Sequence, residues 1–255
     1  MKILVTGGAG YIGSTTCSAL IDNGHTPIIL DSLVNGRREF VKNRIFYEGD
    51  VDDKKLIERI FTEHPDIVAT IHFAGFIVIP ESVEKPYEYY RNNVSKAINF
   101  FKTLIDQGCN KIIFSSTAAL YSKGNGEMVT EDIHVEPTSP YARTKLMIEY
   151  ILEDYCMAYG IKGIALRYFN PIGADPKMRS GAYAENPSHV LGILNVLNKE
   201  INKEEAPPRP GDVAGAYANA NKALNLLNWK AELSIEQAIS DAIKWNEIFR
   251  STLAK

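Results

Sequence analysis

Short runs of β-branched and apolar residues recur along this chain, each followed by a longer stretch of helical period. KILVT precedes a helix over 11–23, PIILD a short helix, and RIFYEGD a helix over 53–63. DIVATIHF precedes a long helix over about 87–107, KIIFSS a helix over about 140–156, and GIALRYF closes the series. Strand and helix alternating this often require parallel strands joined by right-handed crossovers, with helices on both faces. The expected fold class is therefore α/β, a Rossmann-type doubly wound parallel sheet, whose ligands bind beyond the carboxyl ends of the strands. After Asn170 the alternation weakens. A helix over 188–197, the stretch APPRPGD and two C-terminal helices over about 218–227 and 234–250 predict a small, mainly helical second lobe.

The first strand runs directly into VTGGAGYIGS, with glycines at 7, 10 and 13, and this turn opens the first helix. Glycine there permits the tight turn, the approach of backbone to a pyrophosphate and close helix packing, while the helix N-terminus favours an anion. Asp31 ends the second strand, where a carboxylate binds a ribose diol. That acid favours NAD, because its charge repels the extra phosphate of NADP. Arg37 and Arg38 argue the other way but stand several residues later, on a solvated helix. The expected division is a dinucleotide-binding domain over 1–169 and the second lobe over 170–255.

In TSPYARTK, Tyr141 and Lys145 stand four residues apart and share a helical face. An ammonium beside the phenol would lower its pKa toward neutrality. Such pairs also arise by chance on ordinary helices, so the rest of the chain decides. The net charge of −3 argues against nucleic acid as the main partner. No stretch has the length of uncharged apolar residues that a membrane span needs, and the N-terminus reads as a strand rather than a signal peptide. The three cysteines are widely separated, fit a reducing cytoplasmic compartment and lack zinc-ligand spacing, so no metal is expected.

The glycine spacing, Ser116-Thr117 ending the fifth strand, and Tyr141 with Lys145 on the next helix resemble the extended short-chain dehydrogenase/reductase superfamily. HFAGFIVIPESVEKPYEYYRNNV, SPYARTKLMIEYIL, LRYFNPIGA and PPRPGDVAGAYAN are similar to the UDP-glucose 4-epimerase family within it. The resemblance implies NAD-dependent, redox-neutral inversion at C4 of a UDP-hexose through a 4-keto sugar. It implies that Tyr141 is the base at the C4 hydroxyl, that Lys145 holds the nicotinamide ribose, and that the Thr117 hydroxyl bridges tyrosine and substrate. For NAD it implies Gly7, Gly10, Tyr11, Ile12, Gly13, Asp31, Asn35, Asp50, Val51, Phe73, Ala74, Gly75, Asn93, Ser115, Tyr141, Lys145 and Tyr168. For the UDP-sugar it implies Asn170, His189, Val190, Arg209 and Asp212. Ala216 stands at the position that limits pocket size, where a small residue resembles members accepting N-acetylated sugars.

One departure tempers these implications. In LNVLNKEINKEEAPPRPGD the family's long segment between the helix near Leu197 and the Arg209 loop is missing, and with it a phosphate-binding arginine and the last sheet strand. Its loss would expose hydrogen-bonding groups and apolar surface beside GIALRYF. A catalytically impaired NAD-binding paralogue is therefore one alternative, and a UDP-N-acetylhexosamine 4-epimerase another. A sugar-nucleotide 4,6-dehydratase is excluded, because Thr117 is followed by Ala118 and Ala119 where those relatives place an acidic pair. A homodimer is expected through the helices near 87–107 and 140–156, on the apolar residues Ile98, Phe100, Phe101, Leu104, Leu146, Ile148, Ile151 and Leu152.

Overall fold

The computed structural model describes residues 1–121, 127–183 and 216–253. In chain order the elements are β1 (Lys2–Thr6), α1 (Tyr11–Asp22), β2 (Thr26–Asp31), β3 (Ile45–Glu48), α2 (Lys54–Glu63), β4 (Ile67–His72), α3 (Ile79–Glu84), α4 (Pro86–Tyr89), α5 (Lys96–Asp106) and β5 (Lys111–Thr117). They continue with β6 (Met128–Val129), α6 (Pro140–Tyr159), β7 (Lys162–Tyr168), β8 (Tyr217–Ala218), α7 (Asn221–Leu227) and α8 (Ile235–Leu253). The main sheet has the order β3-β2-β1-β4-β5-β7 with every pairing parallel. Its order reverses between β1 and β4, which opens a crevice at their carboxyl ends.

Local chemistry sets the element ends. The Asp53 side chain caps α2 by accepting from the Leu56 N–H at 3.0 Å, and the apolar stripe Ile57, Ile60 and Phe61 then faces the sheet. Ser139 caps α6 by accepting from the Ala142 N–H at 3.2 Å, Pro140 occupies the first turn, and Gly160 ends the helix in the left-handed region. Alternate residues of β1 serve two cores. Leu4 joins Ile28, Leu30, Phe100, Phe101, Leu104, Phe114 and Leu152 on one face, while Ile3 and Val5 join Cys17, Ile29 and Val41 on the other. Each large apolar side chain buried there contributes about 1.5–3 kcal/mol.

Two sequence expectations are corrected. The long helix over 87–107 is not continuous α-helix: α4 passes into a π-helical turn over Tyr90–Ser95 before α5 begins, and α3 precedes it. Apolar periodicity cannot register one inserted residue within a helix whose neighbours remain in phase. Of the residues offered for a dimer face, Phe100, Phe101, Leu104, Ile148 and Leu152 belong to the core beneath the sheet. Ile98 of the offered residues is exposed, and with it on α6 stand Met147, Tyr150, Met157 and Tyr159.

After β7 the chain returns across α1. The Tyr11 hydroxyl donates to the Gly173 carbonyl at 2.8 Å, and Arg179 pairs with both Asp22 and Asp175. Strand β8 pairs with β6, and α7 and α8 fall close to their expected ranges. The expected helix over 188–197 and the APPRPGD stretch lie outside the described residues, as do His189, Val190, Arg209 and Asp212. Among the described residues β7 pairs only with β5, and Ile164 on it is 41% exposed, as the shortened sequence led one to expect.

Candidate active site

The glycine turn closes on itself with little room. Gly7 has a φ of +69°, and a Cβ there would stand 2.7 Å from the Ala74 nitrogen of the neighbouring strand's turn. A Cβ on Gly13 would stand 2.2 Å from the Gly7 carbonyl oxygen, so helix and turn can meet this closely only without side chains. Gly10 precedes α1 and supplies no side-chain cap, so the first-turn N–H groups at Tyr11 and Ile12 have none. An uncapped helix start behind a side-chain-free turn fits a pyrophosphate.

Asp31 lies beside this turn. Its carboxylate accepts from the Ala9 N–H at 2.9 Å and the Leu33 N–H at 2.8 Å, which ties the end of β2 to the glycine turn. Burial pushes its pKa up, opposed by those two bonds. Asn35 is exposed, and its carbonyl accepts the Tyr183 hydroxyl. Asp50 and Val51 follow β3; Asp50 pairs with Lys96, and Val51 packs against the larger core.

The turn after β4 is held from two sides. The Phe73 N–H donates to the Thr6 carbonyl at 3.1 Å, and Thr6 in turn shares a 2.7 Å hydrogen bond with buried His72. Burial lowers the His72 pKa to about 3, so the ring is neutral. Beyond Ala74 and Gly75, the Phe76 N–H donates to Asn93 Oδ1 at 2.8 Å. Asn93 Nδ2 donates to the Phe76 carbonyl at 3.0 Å and to Thr144 Oγ1 at 3.1 Å. Asn93 thus ties the turn to α6 from within the π-helical turn.

Tyr141, Lys145 and Thr117 converge at the carboxyl end of β5. Lys145 Nζ is buried, donates to the Ser115 carbonyl at 2.9 Å and sits 4.9 Å from the centre of the Phe114 ring. Burial lowers its pKa to about 8. The Tyr141 ring centre lies 5.9 Å from the same ammonium. Burial pushes the Tyr141 phenol up, opposed by the Thr117 hydroxyl. The sequence expectation that the Lys145 ammonium lowers the phenol is therefore corrected: in the ligand-free protein the shift is upward, and burial is its largest cause. Thr117 also caps the turn that follows, accepting from the Ala119 N–H at 3.1 Å. Tyr168 pairs with Thr117 in the β5–β7 register, and burial raises its phenol to about 12. Asn170 is exposed just past β7, and Ala216 immediately precedes β8.

One network escaped the sequence reading. Arg167 makes a bidentate pair with Glu149, at 3.1 and 2.7 Å, and donates to the Tyr121 hydroxyl at 2.9 Å; Ser116 donates to the same carboxylate. Tyr141, Lys145 and Glu149 thus follow one another at helical spacing along α6, against Thr117, Ser115 and Ser116 of β5. An arginine within the apolar run GIALRYF was the available signal, since a charge in a core strand needs a partner.

The profile of the "NAD dependent epimerase/dehydratase family" matches residues 3–207. The chain belongs to this family. Among its relatives, the UDP-glucose 4-epimerase of Azospirillum brasilense is 41% identical over 193 residues, covering 75% of this chain and 55% of that protein. The UDP-glucose 4-epimerase of Bacillus subtilis is 31% identical over 331 positions, covering 96% of each chain. Those 331 positions exceed the 255 residues available, so the alignment crosses a stretch with no counterpart in this epimerase/dehydratase. The crystal structure of the UDP-glucose 4-epimerase from Bifidobacterium longum in complex with NAD+ and UDP superposes with a TM-score of 0.86 at 29% identity, covering 97% of this chain and 98% of that one. The chain thus spans little more than half the length of the Azospirillum relative while keeping the fold of the solved enzymes.

Proposed function

We propose that this family member is a UDP-glucose 4-epimerase: it binds NAD and a UDP-hexose and inverts C4 of the sugar. The observation that carries this reading is the meeting of Thr117, Tyr141 and Lys145 at the end of β5, beside the crevice where the sheet order reverses. Relatives named UDP-glucose 4-epimerase, and solved ones crystallised with NAD, support it.

The residues fit the cofactor at both ends. Gly7, Gly10 and Gly13 leave room for the pyrophosphate at the start of α1, Asp31 takes the adenosine ribose, and Lys145 takes the nicotinamide ribose. Bound there, NAD would supply reversible hydride-transfer chemistry at C4 of the sugar. Tyr141 removes the proton from the C4 hydroxyl and gives it back, and Thr117 orients that oxygen through its own hydroxyl. The phenol must become acidic for this step. A positive charge brought beside it would lower its pKa. Asn170, Arg209, Asp212, His189 and Val190 are assigned to the UDP-sugar by the family resemblance, and Ala216 to the size of the sugar pocket. A homodimer in a reducing cytoplasm completes the reading; no described helix is long and apolar enough to cross a membrane.

The test is conversion of UDP-galactose to UDP-glucose by the purified chain, beside a Tyr141→Phe variant and an absorbance spectrum for bound NAD. Turnover that the substitution reduces by about 10²-fold or more supports the reading. Bound NAD without turnover overturns the epimerase activity and leaves the paralogue alternative that the missing segment favours.

A further inference from the structure

The arm of the second lobe over 181–183 meets the outside of the loop that follows Asp31. The Tyr183 hydroxyl donates to the Asn35 carbonyl, and its ring lies beneath the Arg37 guanidinium, 5.2 Å from Cζ to ring centre. The same guanidinium stands 6.0 Å from the Phe249 ring of α8. Phe40 meets Tyr183 edge-on at 5.4 Å and Trp245 at 5.7 Å. Trp245 is buried, and its Nε1 donates to the Ala182 carbonyl at 2.8 Å. A Cβ on Gly181 would stand 2.5 Å from the Trp245 ring, so arm and helix are in close contact. Helix α8 thus carries Tyr183 to the adenosine side of the cofactor cradle.

Arg37 and Arg38 are the two cations nearest in sequence to the ribose-binding acid. Both are engaged elsewhere: Arg38 pairs with Glu48, and Arg37 is held over Tyr183 and Phe249. The backbone of Arg37 is fixed as well, since its N–H donates to the Ala9 carbonyl at 2.9 Å. Its side chain therefore sits within the reach of one arginine from the turn beside Asp31, and the aromatic contacts decide where the charge goes. An arginine free to approach a ribose is what accommodates a 2′-phosphate.

We propose that Tyr183 is a specificity-determining residue for the dinucleotide: it withholds Arg37 from the 2′ position of the adenosine ribose and so enforces discrimination against NADP. The inference rests on the NAD reading above and adds to it a residue from the second lobe. Cation–π contact retains the guanidinium over the ring, and the Asn35 bond fixes the ring itself. Removing the ring releases Arg37 toward a phosphate that it can pair through two N–H donors.

Titrating NAD and NADP separately into nucleotide-free wild type, Tyr183→Phe, Tyr183→Ala and the Tyr183→Ala/Arg37→Ala double variant, with Kd read by calorimetry, tests this. Tyr183→Ala is expected to lower the ratio of the NADP to the NAD Kd by about tenfold. Tyr183→Phe keeps the ring and the wild-type ratio, and the double variant returns to it. A purely structural brace would weaken both dinucleotides alike and leave the ratio unchanged in Tyr183→Ala, which overturns the proposal while the NAD reading stands. Wild type that binds neither dinucleotide overturns both.

Discussion

Lys145 pairs function with a local cost to stability. Its ammonium is buried, with one backbone carbonyl as hydrogen-bond partner, and its pKa falls from 10.5 to about 8. A lysine whose folded pKa is depressed loses its proton in the native state while the unfolded chain keeps it. Stability therefore rises between about pH 8 and 10.5, and below pH 8 the whole penalty, on the order of 3 kcal/mol, is present. Lys145→Met removes that penalty along with the Ser115 hydrogen bond. The ligand-free variant is expected to be more stable than wild type at pH 7, by about 1–3 kcal/mol, with most of the gain gone at pH 10. Thermal melts of both proteins at the two pH values check this, and an equal difference at both would contradict it. The glycine turn makes the opposite case, since no ligand is needed to see its constraint. Gly13→Ala places a methyl group 2.2 Å from the Gly7 oxygen, so the turn must open. NAD binding measured by calorimetry should fall by at least about tenfold in that variant.

The π-helical turn over Tyr90–Ser95 is where element geometry serves the site. It carries Asn93, whose amide makes four hydrogen bonds, two with Phe76, one to Thr144 and one from Asn92. Thr144 immediately precedes Lys145, so the turn after β4 and the catalytic helix share one tie. Asn93→Ala removes the partner of the Phe76 N–H and carbonyl and the donor to Thr144, and should cost about 2–3 kcal/mol, lowering Tm by about 5–10 °C. Asn93→Asp restores acceptance from the Phe76 N–H but loses both donations, and should recover only part of the loss. The repeated strand-to-helix alternation was legible because each element buries a whole face and so writes a period into the sequence. The glycine turn, Asp31 and the Tyr141–Lys145 pair were legible because they depend on spacing within one element. Asn93's role was not, since a one-residue slip in a helix leaves the apolar pattern intact. The two-residue strands β6 and β8 are too short to carry a period, and the contact of Tyr183 with Asn35 joins residues with no sequence relation. Burial was the other blind spot. Spacing placed an ammonium near the phenol but could not show the burial that sets the upward direction of the Tyr141 shift.

At the scale of the whole molecule, two apolar surfaces compete to be the interface of the proposed dimer. One is the outer face of α5 and α6, where Ile98, Met147 and Tyr150 are 39%, 42% and 56% exposed, and the Tyr155 hydroxyl bridges the helices by donating to the Ile98 carbonyl. The other is β7, which has no further strand beside it among the described residues. Pairing of β7 with a second copy would satisfy backbone groups, but Lys162 and Arg167 are charged, and Arg167 is already committed to Glu149. The helix pair places exposed apolar side chains on two neighbouring elements, and in a two-fold interface each residue acts twice. Met147→Glu would therefore bring in two carboxylates at once and should convert the dimer to monomer in sedimentation velocity. Ile164→Lys should leave the mass unchanged. If Ile164→Lys alone halves the mass, the interface lies at the sheet edge that the shortened sequence exposes. Because Met147 is two residues beyond Lys145 on the opposite side of α6, the helix-mediated dimer also predicts a functional trace. The Met147→Glu monomer should lose turnover as dilution exposes α6, whereas Ile164→Lys should retain it.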